Sequence, residues 1–185
     1  MIRGRTAAAI FSLLLLSACG PRPTEFKSNV APDLTFHPKA ILVIQTAGGH
    51  LGAGSEKGFE DVFKQSMAAC GVSTEFFLRN PLALGNQTTT EDGTNLHDVH
   101  VDSLLALQEV EWTHNGYGQI ISVDYGLALT QKETKKPIWK ARLTFAHGNV
   151  FTTGAEEGAA LARSVFSQMV QDQVITGCAV PQPQH

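Results

Sequence analysis

Long apolar runs are missing from this 185-residue chain. The most extended, Ala7 to Leu16, covers about ten residues, half of what a bilayer-spanning helix needs, which speaks against a transmembrane anchor. Basic residues are scarce as well, and the formal net charge is −3. The chain therefore lacks the electrostatic footprint of a nucleic-acid binder and the basic face of a peripheral membrane binder. Cysteines number three, none in Cys-x-x-Cys spacing, which argues against a redox motif. No serine stands in Gly-x-Ser-x-Gly, and no Cys/His pairing of a known hydrolase type is present. A Gly-x-Gly-x-x-Gly order and a Gly-Lys-Ser/Thr ending are also absent. The acidic neighbours Glu60-Asp61, Glu109/Glu111 and Glu156-Glu157 have the pattern of solvated faces. With no catalytic constellation to build on, neither an enzyme nor a cofactor is expected.

What is present begins with a three-part leader. Arg3 and Arg5 supply a positive start, and the short apolar stretch follows. Leu16-Ser17-Ala18-Cys19 then resembles the lipobox of bacterial lipoproteins: an aliphatic residue, two small residues and a cysteine. The resemblance implies cleavage after residue 18, acylation of Cys19, and membrane attachment through the lipid. Two or three acyl chains hold a protein far better than one, at roughly 0.8 kcal/mol per buried methylene. Gly20 stands where aspartate favours inner-membrane retention in such lipoproteins, so the resemblance implies the periplasmic face of the outer membrane. Cleavage also removes Arg3 and Arg5 and makes the mature chain more acidic by two charges.

With Cys19 assigned to lipid, Cys70 and Cys178 remain as a pair in an oxidising compartment. Each follows a predicted helix, and two helices side by side on one sheet would bring them together. The alternatives are a disulfide, worth on the order of 4–5 kcal/mol for a loop of about a hundred residues, and two free buried thiols.

Residues 19–38 contain Pro21, Pro23, Pro32 and Pro38 without sustained periodicity and read as an extended tether. In polyproline geometry, at about 3.1 Å per residue, it would reach ~55 Å; packing of Phe26 or Phe36 on the domain is the other outcome. A single domain is expected over 39–178, followed by a loose tail, 179–185. The aliphatic run Lys39 to Thr46 suits a central strand covered on both faces. Phe59, Val62, Phe63, Met67 and Cys70 recur at helical spacing, predicting a helix over 55–69. A strand over 72–78 completes a β-α-β opening. The polar stretch 80–100 reads as a long loop.

Three strands follow, within 104–113, over 119–130 and over 138–146, the last two joined by a charged turn in hairpin fashion. A helix over 155–175 opens with the capping-box pair Thr153 and Glu156. The fold class expected is α+β: a mixed sheet of about five strands with two helices against it, in the order β-α-β-β-β-β-α. That order is similar to the periplasmic domains of the TolB N-terminal and curli-secretion lipoprotein type. The similarity implies binding of an envelope protein.

Three groups of residues are candidate sites. Gly48, Gly49, His50 and Gly52 lie between a strand and a helix, the setting in which backbone N–H groups hold an anion or a small ligand. Trp112 and Tyr117 flank the turn His114-Asn-Gly116 and are candidate anchors for a partner. His97, His100 and Asp102, with His50, His114 and His147 elsewhere, offer imidazoles and carboxylate, but their spacing does not define the three or four ligands of a zinc site. The reading at this stage is a membrane-anchored, non-enzymatic docking module, with ligand binding at the Gly48–Gly54 turn as the alternative.

Overall fold

A computed structural model describes residues 21–46, 49–79, 99–149 and 151–178. The leader with Cys19, Gly48 of the glycine-rich turn, the polar stretch with His97, and the tail 179–185 lie outside the described residues.

The elements are β1 (Arg22–Val30), β2 (Ala40–Thr46), α1 (Ser55–Ala68), β3 (Ser73–Arg79), β4 (Ser103–His114), β5 (Ile120–Gln131), β6 (Pro137–Ala146) and α2 (Gly154–Gln171). They form one six-stranded sheet in the order β1-β6-β5-β4-β2-β3. Strand β2 pairs in parallel with both β3 and β4, and the remaining pairings are antiparallel. The fold is α+β with a mixed sheet and two helices, in the expected order apart from one additional strand at the start.

That additional strand lies where a tether was expected. Residues 22–30 pair with β6 from Arg22 opposite Ala146 to Val30 opposite Trp139, with an irregularity between Pro23 and Glu25. An edge strand tolerates Pro23, because only one side of its backbone must donate to the ladder. Phe26 and Val30 pack on the core, as do Leu34 and Phe36 beyond the strand, so the segment is held by burial as well as pairing.

The core lies between the sheet and the helices. In α1, Phe59, Phe63 and Met67 recur at helical spacing and are buried; Phe59 and Phe63 also meet Phe76 of β3 edge-on. In α2, Leu161, Val165 and Met169 form the buried stripe, with Ala162 beside it. Strand β5 supplies Val123, Tyr125, Leu127 and Leu129 by strict alternation. Trp139 of β6 is buried and donates its indole N–H to Asp172 at 2.7 Å.

The helix expected to reach residue 175 stops at Gln171. Gln173 takes a positive φ of 58°, and the chain folds back so that Val174 and Ile175 donate to the Met169 carbonyl and bury their side chains. Burial of two branched apolar residues outweighs continuation of the helix.

The helices run side by side in the same direction. At their starts they approach through glycine: a Cβ on Gly158 would sit on the Ser55 carbonyl oxygen, and one on Gly58 on that of Ala155. Beyond their ends, Cys70 and Cys178 are joined by a disulfide with a Cα–Cα distance of 4.3 Å. No helix among the described residues is long and apolar enough to cross a membrane.

Candidate functional site

The two helix starts, the end of β2 and the middle of the β4–β5 hairpin enclose a cavity of about 550 Å³. Its walls include Gln45, Leu51, Ser55, Glu56, Phe59, Leu107, Glu109, Trp112, Tyr125 and Leu161. A register irregularity in β4 creates part of it. Glu109 lies opposite Tyr125, the ladder shifts between Glu109 and Glu111, and Trp112 then lies opposite Val123. Directly opposed residues share a sheet face, so Glu109 and Trp112 both face the helices despite opposite parity. An extra residue in one strand re-aims the side chains that follow it.

Glu109 is the most constrained polar group of the cavity. Its Oε1 accepts from the His50 backbone N–H at 2.7 Å and from the Tyr125 hydroxyl at 3.3 Å, while Oε2 meets His50 Nδ1 at 2.5 Å. The His50 ring stacks on Trp112, with centroids 4.4 Å apart and planes 28° apart. Gly49 leaves room for the carboxylate, since a Cβ there would come within 2.6 Å of Glu109 Oε1. Burial pushes the Tyr125 phenol pKa far upward, and the negative charge of Glu109 adds to the shift, so the hydroxyl remains a donor.

A second histidine–glutamate pair lies at the start of α2. Glu157, 5% exposed, accepts from His147 Nδ1 and from the Gly148 backbone N–H, each at 2.8 Å. This ties the end of β6 to the helix. One residue earlier, Glu156 accepts from the Thr153 backbone N–H at 2.8 Å, and the Thr153 hydroxyl accepts from the Glu156 N–H at 3.3 Å. The expected capping box is thus formed, and its hydrogen bonds hold the Glu156 carboxyl below the usual carboxylate range.

Among the residues singled out in the sequence, Gly49, His50 and Trp112 converge on the cavity. Gly52 adopts φ +88° in the turn leading to α1. Tyr117 stands apart, 92% exposed at the tip of the β4–β5 hairpin, where Asn115 accepts from the Tyr117 and Gln119 N–H groups. Asp102 accepts from the Lys39 and Ala40 N–H groups and pins the start of β2. Among the described residues no three His, Cys, Asp or Glu side chains are placed to hold a metal ion.

Glu109 and Glu157 were expected on solvated faces; the structure instead places Glu109 in the cavity wall, accepting from Tyr125, and buries Glu157. The signal for Glu109 was its phase, because it continues the buried alternation Leu105, Leu107 where a solvated carboxylate does not belong. Glu157 carries the same signal, four residues before Leu161 on the buried stripe of α2.

No protein-family model matches the chain, and neither does any curated protein. Among solved structures it is similar to the PelC dodecamer from Paraburkholderia phytofirmans, at 16% identity and a TM-score of 0.44, over 77% of this chain and 96% of that one. Lipoprotein GNA1162 from Neisseria meningitidis is similar at 15% identity and a TM-score of 0.39, over 72% of this chain and 99% of that one. Protein XCC0632 from Xanthomonas campestris shares 15% identity at a TM-score of 0.39, over 80% and 92% of the respective chains.

Proposed function

We propose that this protein is a lipid-anchored, non-enzymatic docking module of the cell envelope. It sits on the periplasmic face of the outer membrane, and its cavity receives a cationic side chain from a partner protein. The carrying observation is the composition of the cavity wall. Glu56 and Glu109 lie in it beside the half-exposed ring of Trp112 and the aliphatic Leu51, Leu107 and Leu161, and none of its lining residues is Lys or Arg. An aliphatic stem ending in a charge, as in lysine or arginine, complements those walls: the stem lies on apolar carbon, and the charge meets carboxylate and aromatic face.

Anion binding at the glycine-rich turn is the weaker reading. The His50 N–H, which would hold a phosphate oxygen, already donates to the protein's own Glu109. A second carboxylate, Glu56, stands in the first turn of α1 and repels a further anion. The His50–Glu109 pair has the form of a catalytic dyad, but no hydroxyl or thiol among the described residues is hydrogen-bonded to His50, as an activated nucleophile would be.

The test is affinity for the captured partner with and without the charge. Glu109→Gln is expected to weaken binding about tenfold or more, equivalent to about 1.4 kcal/mol, while Trp112→Ala removes the aromatic wall and costs at least as much. Unchanged affinity in both variants refutes the cavity as the docking site.

A further inference from the structure

Of the five large apolar side chains exposed among the described residues, Val110 lies within β4, 50% exposed, and the other four gather towards one end of the sheet. Tyr117 is 92% exposed, Phe151 87%, and Trp112 and Ile121 46% each. Trp112, Tyr117 and Ile121 lie in the β4–β5 hairpin, and Phe151 in the connection from β6 to α2. Pairing places both connections at the same end of the sheet. Ser122 opposes Thr113 on one side and Ala146 on the other, and Ala146 opposes Arg22. Strand β1 therefore starts at this same end.

The start of β1 is three residues from Cys19. Three virtual Cα–Cα bonds of 3.80 Å reach at most about 11 Å. A lipid on Cys19 cannot hold the domain at the far end of a long tether; it draws the hairpin end of the sheet to the bilayer surface. We propose that this end rests in the membrane interface, with the tip of the β4–β5 hairpin and Phe151 among lipid headgroups and upper acyl carbons. The proposal rests on the reading of Cys19 as the acylated residue; it shares Trp112 with the cavity wall but requires nothing to be bound there.

The charge pattern fits a lipid surface. No Asp, Glu, Lys or Arg occurs from residue 112 to 123 or from 143 to 155. The opposite end of the sheet carries Asp102 and the turn with Lys132, Glu133, Lys135 and Lys136. Trp and Tyr favour the membrane–water boundary, where an apolar ring body and a polar edge are both accommodated. The acyl chains supply attachment, and the aromatic tip sets orientation.

The experiment uses the full lipoprotein, purified with its acyl chains and reconstituted into phosphatidylethanolamine/phosphatidylglycerol vesicles carrying lipid brominated on the upper acyl carbons. Tryptophan emission has two sources, exposed Trp112 and buried Trp139. The expected result is quenching of a large part of the emission by brominated lipid. That part is lost in Trp112→Phe and restored when Tyr117→Trp is added to that variant. Emission from Trp112 that ignores brominated lipid and is quenched by aqueous acrylamide overturns the proposal. So does protection from both quenchers that grows with protein density, which would assign the tip to a second copy of the chain. Mass spectrometry of the N-terminal peptide separates the premises. An unmodified Cys19 overturns the lipoprotein reading and this inference together, whereas an acylated Cys19 without lipid quenching overturns the inference alone.

Discussion

Breaking the Cys70–Cys178 disulfide tests how the helical layer is held. The bridge closes a loop of 108 residues. In the chain-entropy model, a loop of that length removes enough freedom from the unfolded chain to stabilise the fold by about 5 kcal/mol. A domain of this size loses roughly 2–4 °C of midpoint per kcal/mol, so reduction should lower the thermal midpoint by about 10–20 °C. The assay compares oxidised and reduced wild-type protein, by thermal and urea denaturation followed by circular dichroism. Reduction leaves both sulfur atoms in place, which separates the bridge from packing; Cys70 is only 7% exposed, and a smaller side chain there would add a cavity cost. The far ends of the helices are fixed by the glycine contacts of Gly58 and Gly158, so the reduced domain should still fold at low temperature and keep its cavity. Equal midpoints for oxidised and reduced protein would show that the bridge does not stabilise the helical layer.

Three further outcomes follow from single contacts. Gly158→Ala places a methyl group against the Ser55 carbonyl and should cost about 3 kcal/mol by forcing the helices apart; a wild-type urea midpoint contradicts the close approach. Thr153→Ala should cost about 1 kcal/mol through loss of the cap. The Thr153 backbone N–H and hydroxyl hold the Glu156 carboxyl below its usual range, so the part of the cap carried by that carboxylate is present above about pH 4.3 and is lost as pH falls through the lowered folded-state value; the difference between wild type and variant should narrow in acid without vanishing. The raised Tyr125 phenol runs the other way: its contribution is complete below about pH 10 and is lost as pH climbs from there towards the folded-state value. Stability of Tyr125→Phe should therefore fall less steeply in alkali than that of wild type; parallel alkaline profiles contradict the burial argument.

The sheet and helices were legible where periodicity was strong. Alternation from Val123 to Leu129 marks β5, and the Phe59, Phe63, Met67 spacing marks α1, because in both one face is buried continuously. Strand β1 was not legible: across Arg22–Val30 only Phe26 and Val30 are even partly buried, and an edge strand tolerates the proline that suggested a tether. The end of α2 was misjudged because Val174 and Ile175 extend the apolar pattern while the backbone has already turned. In the site, His50 and Trp112 were each conspicuous, one for its glycines and the other as one of two aromatics flanking a turn. Their link through Glu109 depends on a pairing 59 residues apart in the chain and on an irregularity in β4, neither of which a local pattern records.

Docking, as proposed, runs through the Glu109 carboxylate in the cavity wall. A photo-crosslinking residue at Thr46, exposed on the cavity wall, tests it most directly in intact cells. The expected result is one reproducible envelope protein crosslinked from position 46, sharply reduced by Glu109→Gln, and absent when the crosslinker is moved to Glu133 at the opposite end of the sheet. Capture that is equal from both positions, or indifferent to Glu109→Gln, would contradict it.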